Sequence, residues 1–190
     1  RVSSLLRQRG GIEVVLTRTA DRTLSLEERP AIANDAGADL FLSIHVNSSP
    51  EAARGGVETY VLDTTSDEHA IRLAARENRL SARQMGDLQR ILAGLAASTR
   101  RHESEVLAQA IQRTLVGVAG RYGVAEDRGV RRALFSVLFG AAVPAALVEV
   151  GFLSNPEEEA RLGDDRYRTA VAGAIVDAIV EFAPAPMHTP

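Results

Sequence analysis

Two apolar runs constrain this chain most, because each is long enough for a buried strand and each carries one titratable residue near its carboxyl end. The first run is Asp39–Val46, which contains His45, and the second is Ala145–Val150, which contains Glu149. Continuous apolar runs of this length are typical of strands buried on both faces, as in parallel sheets. Segments with helical spacing lie between them. The alternation predicts an α/β fold, a mostly parallel twisted sheet flanked by helices.

Shorter runs of β-branched or alternating residues predict the rest of the sheet. They are Ile12–Thr17, Val57–Leu62 and Ala133–Phe139. Residues 66–118 carry apolar side chains at helical spacing, which predicts a wholly helical segment between the last two of these strands.

Capping signals mark two helix starts. Ser25 and Glu28 have the spacing of a capping box, which predicts a helix from there to about Asp35. Asn155 followed by Pro156 and three glutamates is typical of another helix start, since the amide side chain caps the helix and the acids oppose its dipole.

Two segments differ from this α/β core. The stretch 66–103 carries many arginines and resembles an inserted helical arm. Residues 183–190 form a proline-rich tail after the last amphipathic helix, Tyr167–Phe182, and are expected to be disordered. The chain begins at Arg1 in the middle of a predicted helix that ends at Gly10-Gly11, so we expect a fragment of a longer protein. The domain itself is predicted to span residues 1–182.

Composition excludes several kinds of chemistry. The 190 residues include no cysteine, which excludes disulfides, thiol catalysis and cysteine-bound zinc. All 22 basic residues are arginine, so lysine nucleophiles, Schiff bases and Walker-type phosphate sites are excluded. A net charge of −3 does not favour nucleic-acid binding. No apolar run approaches the ~20 residues of a membrane-spanning helix.

His45 has the most unusual position of the four histidines, at the carboxyl end of a predicted buried strand. Open α/β sheets bind ligands outside the carboxyl ends of their strands. His45 is therefore a candidate metal ligand or acid/base group, and a hydrogen-bonded structural histidine is the alternative. His69 and His102 lie among charged residues of the helical segment and are expected to be solvated, and His188 lies in the tail.

Glu149 is the one carboxylate in an otherwise apolar strand. Such a group is costly to bury alone, so it is usually paired with arginine, held near a metal or raised in pKa for proton transfer. Two interpretations remain open, an ion pair with Arg128 or Arg131 and a general base at the mouth of the sheet. A strand-end histidine and glutamate suggest a hydrolytic zinc site, but such a site needs three protein ligands.

Four sequence blocks resemble the zinc-dependent N-acetylmuramoyl-L-alanine amidases, the bacterial cell-wall amidases of the type that separates daughter cells. The blocks are Val15–Arg18 with Asp21, Leu26–Asn34 with Ala38–Asn47, Gly56–Leu62, and Leu147–Glu158, with Arg128–Leu138 as a matching link. They extend over nearly the whole chain in the family's order. The Ser-Ile-His run that ends at His45 and the Glu-x-Gly-Phe-x-Ser-Asn run that begins at Glu149 are highly specific in combination.

The resemblance implies a zinc ion held by two histidines and a glutamate, with a second glutamate as catalytic acid/base. By motif, His45 matches the later histidine ligand and Glu149 matches the catalytic glutamate. The other two ligands would precede Arg1 together with the family's first strand, and Glu13 is in the wrong place to replace one. The implied reaction is hydrolysis of the amide between N-acetylmuramic acid and L-alanine in peptidoglycan. This fragment alone is expected to be inactive.

The helical arm adds a regulatory hypothesis. The resemblance to cell-division amidases implies an inserted helix that blocks the active site until an activator of the degenerate LytM type withdraws it. Residues 66–103 occupy the place of that insertion. Glu77 is the carboxylate expected in the open position of the zinc, and an ordinary surface glutamate is the alternative.

Two other functions are open from sequence. One is a non-catalytic peptidoglycan-binding module that keeps the fold without the metal, which the missing ligands favour. The other is a structural or partner-binding helical protein, which leaves the strand-end histidine and glutamate unexplained. The family further implies a periplasmic or extracellular location, with the signal peptide outside this chain.

Overall fold

A computed structural model describes residues 1–92, 100–123 and 126–183. These residues form four strands and seven α-helices around one sheet. The strands are β1 (Phe41–Asn47), β2 (Val57–Leu62), β3 (Asp127–Ala133) and β4 (Ala145–Phe152). The helices are α1 (Val2–Arg9), α2 (Glu28–Asp35), α3 (Glu68–Glu77), α4 (Ala82–Leu92), α5 (Arg100–Arg121), α6 (Pro156–Gly163) and α7 (Asp165–Phe182). None of these helices combines the length and the apolar character needed to cross a membrane.

The sheet has the strand order β1-β4-β2-β3. The pairs β1–β4 and β2–β3 are parallel, and β2–β4 is antiparallel. The predicted mostly parallel α/β sheet is therefore confirmed. Strand β4 lies between two neighbours and is buried along its whole length, which explains its almost continuous apolar sequence.

The sheet separates two apolar clusters. On one face, α1, α5 and α7 pack against residues such as Val57 of β2 and Val148 of β4. On the other face, α2, α3 and α4 pack against residues that include Phe41, Tyr60 and Leu147. Alternate residues of each strand thus contribute to opposite cores, as the pleat of a strand requires.

Both predicted capping motifs form. The Ser25 backbone N–H donates to Glu28 Oε2 at 2.6 Å, and the Glu28 N–H donates to Ser25 Oγ at 3.2 Å, which is a reciprocal capping box. The Asn155 side chain accepts from the N–H groups of Glu157 and Glu158 at the start of α6. The strands predicted at Val57–Leu62 and Ala145–Val150 are also confirmed.

The strand predicted at Ile12–Thr17 is wrong, because these residues form no regular secondary structure. Val15 and Leu16 are about half exposed, at 49% and 47%. β-branched residues favour a strand only where a neighbouring strand accepts their backbone groups. Among the described residues, no strand pairs with this segment.

The strand predicted at Ala133–Phe139 is also wrong, because β3 ends at Ala133 and residues 136–138 form a 3₁₀ turn. Phe135, Val137 and Leu138 are apolar because they fill the core on the α3 face of the sheet. Strand β3 itself lies at the edge of the sheet, and its arginine-rich sequence is typical of an edge strand rather than a buried one.

The segment 66–118 is helical but not wholly so. A break at residues 78–81 separates α3 from α4, and Arg79 there has a positive φ of 56°. The Asn78 side chain fixes this break, because it donates to the carbonyl oxygen of Leu134 at 2.6 Å and accepts from the N–H of Ser136 at 2.7 Å. Residues 93–99 of the predicted arm and 184–190 of the predicted tail lie outside the described residues.

Candidate active site

Three titratable residues lie in one row across β1, β4 and β2. His45 is the register partner of Glu149, and Glu149 is the partner of Glu58 across the antiparallel pair. Opposed residues share a face of the sheet, and this face also carries Tyr60 and Leu147 of the α3-side core. The structure thus brings together the two residues singled out from strand ends and adds a third.

Glu149 is fully buried at 0% exposure. Within the described part of the chain, neither of its carboxylate oxygens has a hydrogen-bond partner. Burial, followed by the negative charges of Glu77 and Glu58, raises the pKa of Glu149 from its ordinary value of 4.5 to about 9. A carboxyl in this state holds a proton at neutral pH and can donate it.

The alternative of an arginine ion pair for Glu149 is wrong. Arg128 instead pairs with Glu126 at 2.6 Å and donates to the carbonyl oxygen of Gly55. Arg131 pairs with Asp67. Both arginines therefore bind other groups near β3 and α3. Neither forms an ion pair with Glu149 that would offset the effect of burial on its pKa.

Glu77, at the last position of α3, lies next to His45. Its Oε2 is 3.5 Å from His45 Nδ1, and both side chains are less than a third exposed. The hydrogen bond from His45 is the largest cause that lowers the pKa of Glu77, with burial opposing it. The Glu77 carboxylate at the end of α3 thus lies against the ring of His45 near the end of β1.

The residues on either side of Glu77 fasten the same end of α3. Arg76 Nη1 donates to the carbonyl oxygen of Ser48 at 2.5 Å, and Arg76 Nη2 donates to Asn47 Oδ1 at 2.9 Å. Asn78 holds the segment that follows β3, as described above. Three consecutive side chains therefore seat this helix end on the loops at the carboxyl ends of the strands.

Sequence reasoning missed Glu58 as a site residue. It is fully buried on β2, where Asn47 Nδ2 donates to its Oε1 at 2.7 Å. His69 Nε2 of α3 is 3.6 Å from the same oxygen, and Arg131 Nε is 3.8 Å from Glu58 Oε2. The signal was present in the sequence, because Glu58 is a lone carboxylate in a predicted strand, as Glu149 is.

His69 was expected to be solvated, and this is wrong. Its side chain is 20% exposed, and its Nε2 faces Glu58. Burial, as the largest cause, lowers the pKa of His69, while the negative charge of Glu58 opposes that effect. Charged residues next to His69 in the sequence suggested an exposed position. The sequence did not show that the face of α3 that carries His69 packs onto the sheet.

Glu158 holds together the two loops that border the row. Its Oε1 accepts from the N–H of Gly56, just before β2, and its Oε2 accepts from the N–H of Phe152 at the end of β4, at 2.6 and 2.7 Å. A Cβ at position 55 would lie 2.6 Å from Glu158 Oε1, so the contact requires Gly55. One buried carboxylate thereby connects the start of β2 to the end of β4, the strands that carry Glu58 and Glu149.

The donor chemistry of His45 and Glu149 suits a zinc ion, which binds imidazole nitrogen and carboxylate oxygen. The unpartnered, buried oxygens of Glu149 agree with a group that acts on a ligand rather than on the protein. In residues 1–92, 100–123 and 126–183, no three histidine, aspartate or glutamate side chains are close enough together to hold a metal. The described residues thus contain donors of suitable chemistry but no complete metal site.

Comparison with known families gives one match over nearly the whole chain. The model of the N-acetylmuramoyl-L-alanine amidase family, Amidase_3, matches residues 1–181. N-acetylmuramoyl-L-alanine amidase AmiA of Escherichia coli K12 is 32% identical over 190 residues, which cover 95% of this chain and 64% of AmiA. LytC of Bacillus subtilis is 32% identical over 182 residues, which cover 96% of this chain and 29% of LytC. The chain therefore spans less than two thirds of the length of these relatives.

Solved structures give the same result. An N-acetylmuramoyl-L-alanine amidase from Clostridium difficile 630 is similar with a TM-score of 0.71 at 27% identity, over 95% of this chain and 77% of that one. The catalytic domain of the amidase CwlV from Bacillus (Paenibacillus) polymyxa var. colistinus has a TM-score of 0.66 at 31% identity, over 95% and 78%. The fold described above is the fold of these catalytic domains.

Proposed function

The chain belongs to the N-acetylmuramoyl-L-alanine amidase family, and from this premise we propose that it forms most of the catalytic domain of an enzyme acting on peptidoglycan. The enzyme hydrolyses the amide between the lactyl group of N-acetylmuramic acid and the L-alanine of the stem peptide. One observation carries the proposal: Glu149 is the register partner of His45 in the adjacent strand, and it is fully buried with no hydrogen-bond partner for either carboxylate oxygen in the described part of the chain.

Glu149 performs the proton transfers in this proposal. In its ionised form, which a cation held beside it would favour, Glu149 takes a proton from the water that attacks the amide carbonyl, and as the acid it passes that proton to the departing nitrogen. The C–N bond breaks, the lactyl group leaves as a carboxylate, and the L-alanine leaves with a free amine. The burial that raises the pKa of Glu149 also favours the second of these transfers.

Zinc is the proposed cofactor. His45 is the ligand that this chain supplies, and we place the other histidine and the glutamate upstream of Arg1, on the resemblance to the family. When bound, zinc lowers the pKa of a coordinated water and polarises the carbonyl. The residues of this chain orient the histidine through Glu77 and bury Glu149, which raises the pKa of its carboxyl.

We also propose that the helical arm regulates the enzyme. Glu77 blocks His45 in the resting state, and an activator protein of the LytM type withdraws α3. The setting is the periplasm or the outside of the cell, where the enzyme separates daughter cells. The contacts of Arg76 and Asn78 support this arrangement, since they hold Glu77 in place without taking part in proton transfer.

The experiment is hydrolysis of purified peptidoglycan by the protein extended upstream of Arg1 by its own coding sequence. Glu149→Gln removes the titratable proton and should lower the rate at least 100-fold. Glu159→Gln, an exposed glutamate of α6, is the matched control and should keep the rate. A Glu149→Gln variant as active as the unaltered protein would refute the proposed role.

A non-catalytic peptidoglycan-binding module is the second candidate. The observation in its favour is the incomplete set of metal-binding side chains in the described residues. Incubation with the same purified peptidoglycan distinguishes the two functions. Co-sedimentation with peptidoglycan without release of peptide supports the binding module, and release of peptide supports the enzyme.

A further inference from the structure

Glu58 is the buried titratable group that the proposed chemistry does not use. Its carboxylate is fully buried, yet three polar groups from three different elements surround it. They are Asn47 Nδ2 at 2.7 Å, His69 Nε2 at 3.6 Å and Arg131 Nε at 3.8 Å. A buried carboxylate with so many polar neighbours connects the elements that carry them.

Asn47 connects Glu58 to one end of α3. While its Nδ2 donates to Glu58, its Oδ1 accepts from Arg76 Nη2 at 2.9 Å and from the N–H of Ser48 at 2.7 Å. Arg76 precedes Glu77, the residue that contacts His45. One of the contacts that hold the carboxyl-terminal end of α3 therefore leads to Glu58 through the amide of Asn47.

His69 connects Glu58 to the other end of the same helix. It lies in the first turn of α3, where Asp67 caps the helix by accepting from the N–H groups of His69 and Ala70. Arg131 pairs with that capping Asp67 and also faces Glu58. The first turn of α3 thus lies beside the Glu58 carboxylate, and the last turn is connected to it through Arg76 and Asn47.

We propose that Glu58 is a positioning residue that seats both ends of α3 over the active site, through His69 at one end and Asn47 with Arg76 at the other. The inference rests on the proposed function, because it explains how Glu77 is held against His45. Glu58 touches neither the scissile amide nor the departing nitrogen in this account. Its effect passes through Asn47, His69 and α3.

The first test is made on the 190-residue chain by NMR spectroscopy and amide hydrogen exchange. Glu58→Gln keeps the size of the side chain and an acceptor for Asn47, and it removes the charge that faces His69. We expect the titration midpoint of the His69 ring to fall, since the negative charge that favours its protonated form is gone. The other groups that face this ring are Arg54, Arg131 and Asp67.

In the same variant, amides of α3 should exchange about tenfold faster, because the charge that attracts His69 and Arg131 is lost and Asn47 then donates to a neutral acceptor. Glu68→Gln, an exposed glutamate of the same helix, is the matched control and should change neither measurement. A folded Glu58→Gln chain with an unchanged His69 midpoint and unchanged exchange in α3 would overturn the proposal.

His69→Ala tests the same connection by removing the side chain that faces Glu58. It is the second variant to use if Glu58→Gln does not fold. It removes one contact of Glu58 and leaves the buried carboxylate in place. We expect faster exchange in the first half of α3, and His102→Ala, an exposed histidine in the first turn of α5, controls for the gain in helix propensity. Unchanged exchange in α3 of His69→Ala would show that Glu58 does not seat this end.

Neither measurement depends on catalysis. If the longer protein did not hydrolyse peptidoglycan, the proposed function would be contradicted. The His69 midpoint and the amide exchange of Glu58→Gln would still test the role of Glu58. An unchanged α3 in both variants would contradict the inference and leave the proposed function unaffected.

Discussion

The carboxylate of Glu77 lies 3.5 Å from the ring nitrogen Nδ1 of His45 and joins the last turn of α3 to the end of β1. Glu77 is in this position because α3 packs into the core through Ala70, Leu73 and Ala74. The helix that carries Glu77 is therefore part of the domain core. In the proposed regulation, withdrawal of Glu77 has to displace or reshape an element that also stabilises the fold.

Glu77→Ala should activate the enzyme without its activator. The substitution removes the carboxylate from His45 and keeps the core residues of α3, which a deletion of residues 66–103 would remove. We expect peptidoglycan hydrolysis by the upstream-extended protein to rise about tenfold, in proportion to one lost charge-assisted contact. Glu68→Ala on the same helix should leave the rate unchanged. Equal rates for Glu77→Ala and the unaltered protein would contradict autoinhibition by this residue.

Glu149→Gln should stabilise the chain, and more so at higher pH. Between pH 4.5 and about 9, an unfolded Glu149 has released its proton while the folded one retains it, so the unaltered protein loses stability as the pH rises. The gain of the variant in the free energy of unfolding should be small at pH 5 and reach about 2 kcal/mol at pH 8. Urea unfolding at the two pH values measures it.

The matched control for this pH dependence is Glu159→Gln, an exposed glutamate of α6. Its free energy of unfolding should follow that of the unaltered chain at both pH values. A gain for Glu149→Gln that does not grow with pH would mean that Glu149 is ionised in the folded state.

His45→Ala should abolish zinc binding by the upstream-extended protein. Metal analysis of the purified protein is expected to give one zinc per chain, and the variant should give close to none, since a catalytic zinc with three protein ligands loses one of them. His102→Ala should retain the metal. An extended protein without zinc would refute the proposed cofactor.

Glu158→Gln should destabilise the domain. The ionised carboxylate accepts from two backbone N–H groups, of Gly56 and Phe152, and an amide oxygen can accept well from only one of them in this geometry. We expect a loss of about 2 kcal/mol in the free energy of unfolding. The exposed Glu157→Gln should lose less than about 1 kcal/mol, because its ion pair with Arg161 is at the surface. Equal losses in the two variants would contradict the role of Glu158.

The sequence was sufficient to place His45 and Glu149 near the ends of buried strands, because an apolar run and its end are local signals. His45 and Glu149 each stand out as a polar residue in an apolar run, and parallel neighbours bring their carboxyl ends together. Glu58 stands out less, because β2 alternates and a carboxylate there fits a half-exposed strand equally well. Only the neighbours of β2 in the sheet show that both of its faces are buried.

The errors in the predicted strands have the same origin. Ile12–Thr17 has the residues of a strand and no partner among the described strands, whereas β3 has the residues of a loop and is paired with β2. Pairing depends on residues far away in the sequence, so a local pattern cannot establish it. His69 was misjudged for a related reason, since the charge of its sequence neighbours does not reveal which face of α3 meets the sheet.

The identity of the bond that is broken tests the central claim most directly. Purified peptidoglycan is digested with the upstream-extended protein that carries Glu77→Ala, and the products are analysed by mass spectrometry and amino-terminal labelling. We expect stem peptides with a free amino group on L-alanine and glycan strands whose N-acetylmuramic acid carries a free lactyl carboxylate. Cleavage within the glycan or within the stem peptide, or no release of peptide at all, would contradict the proposed function.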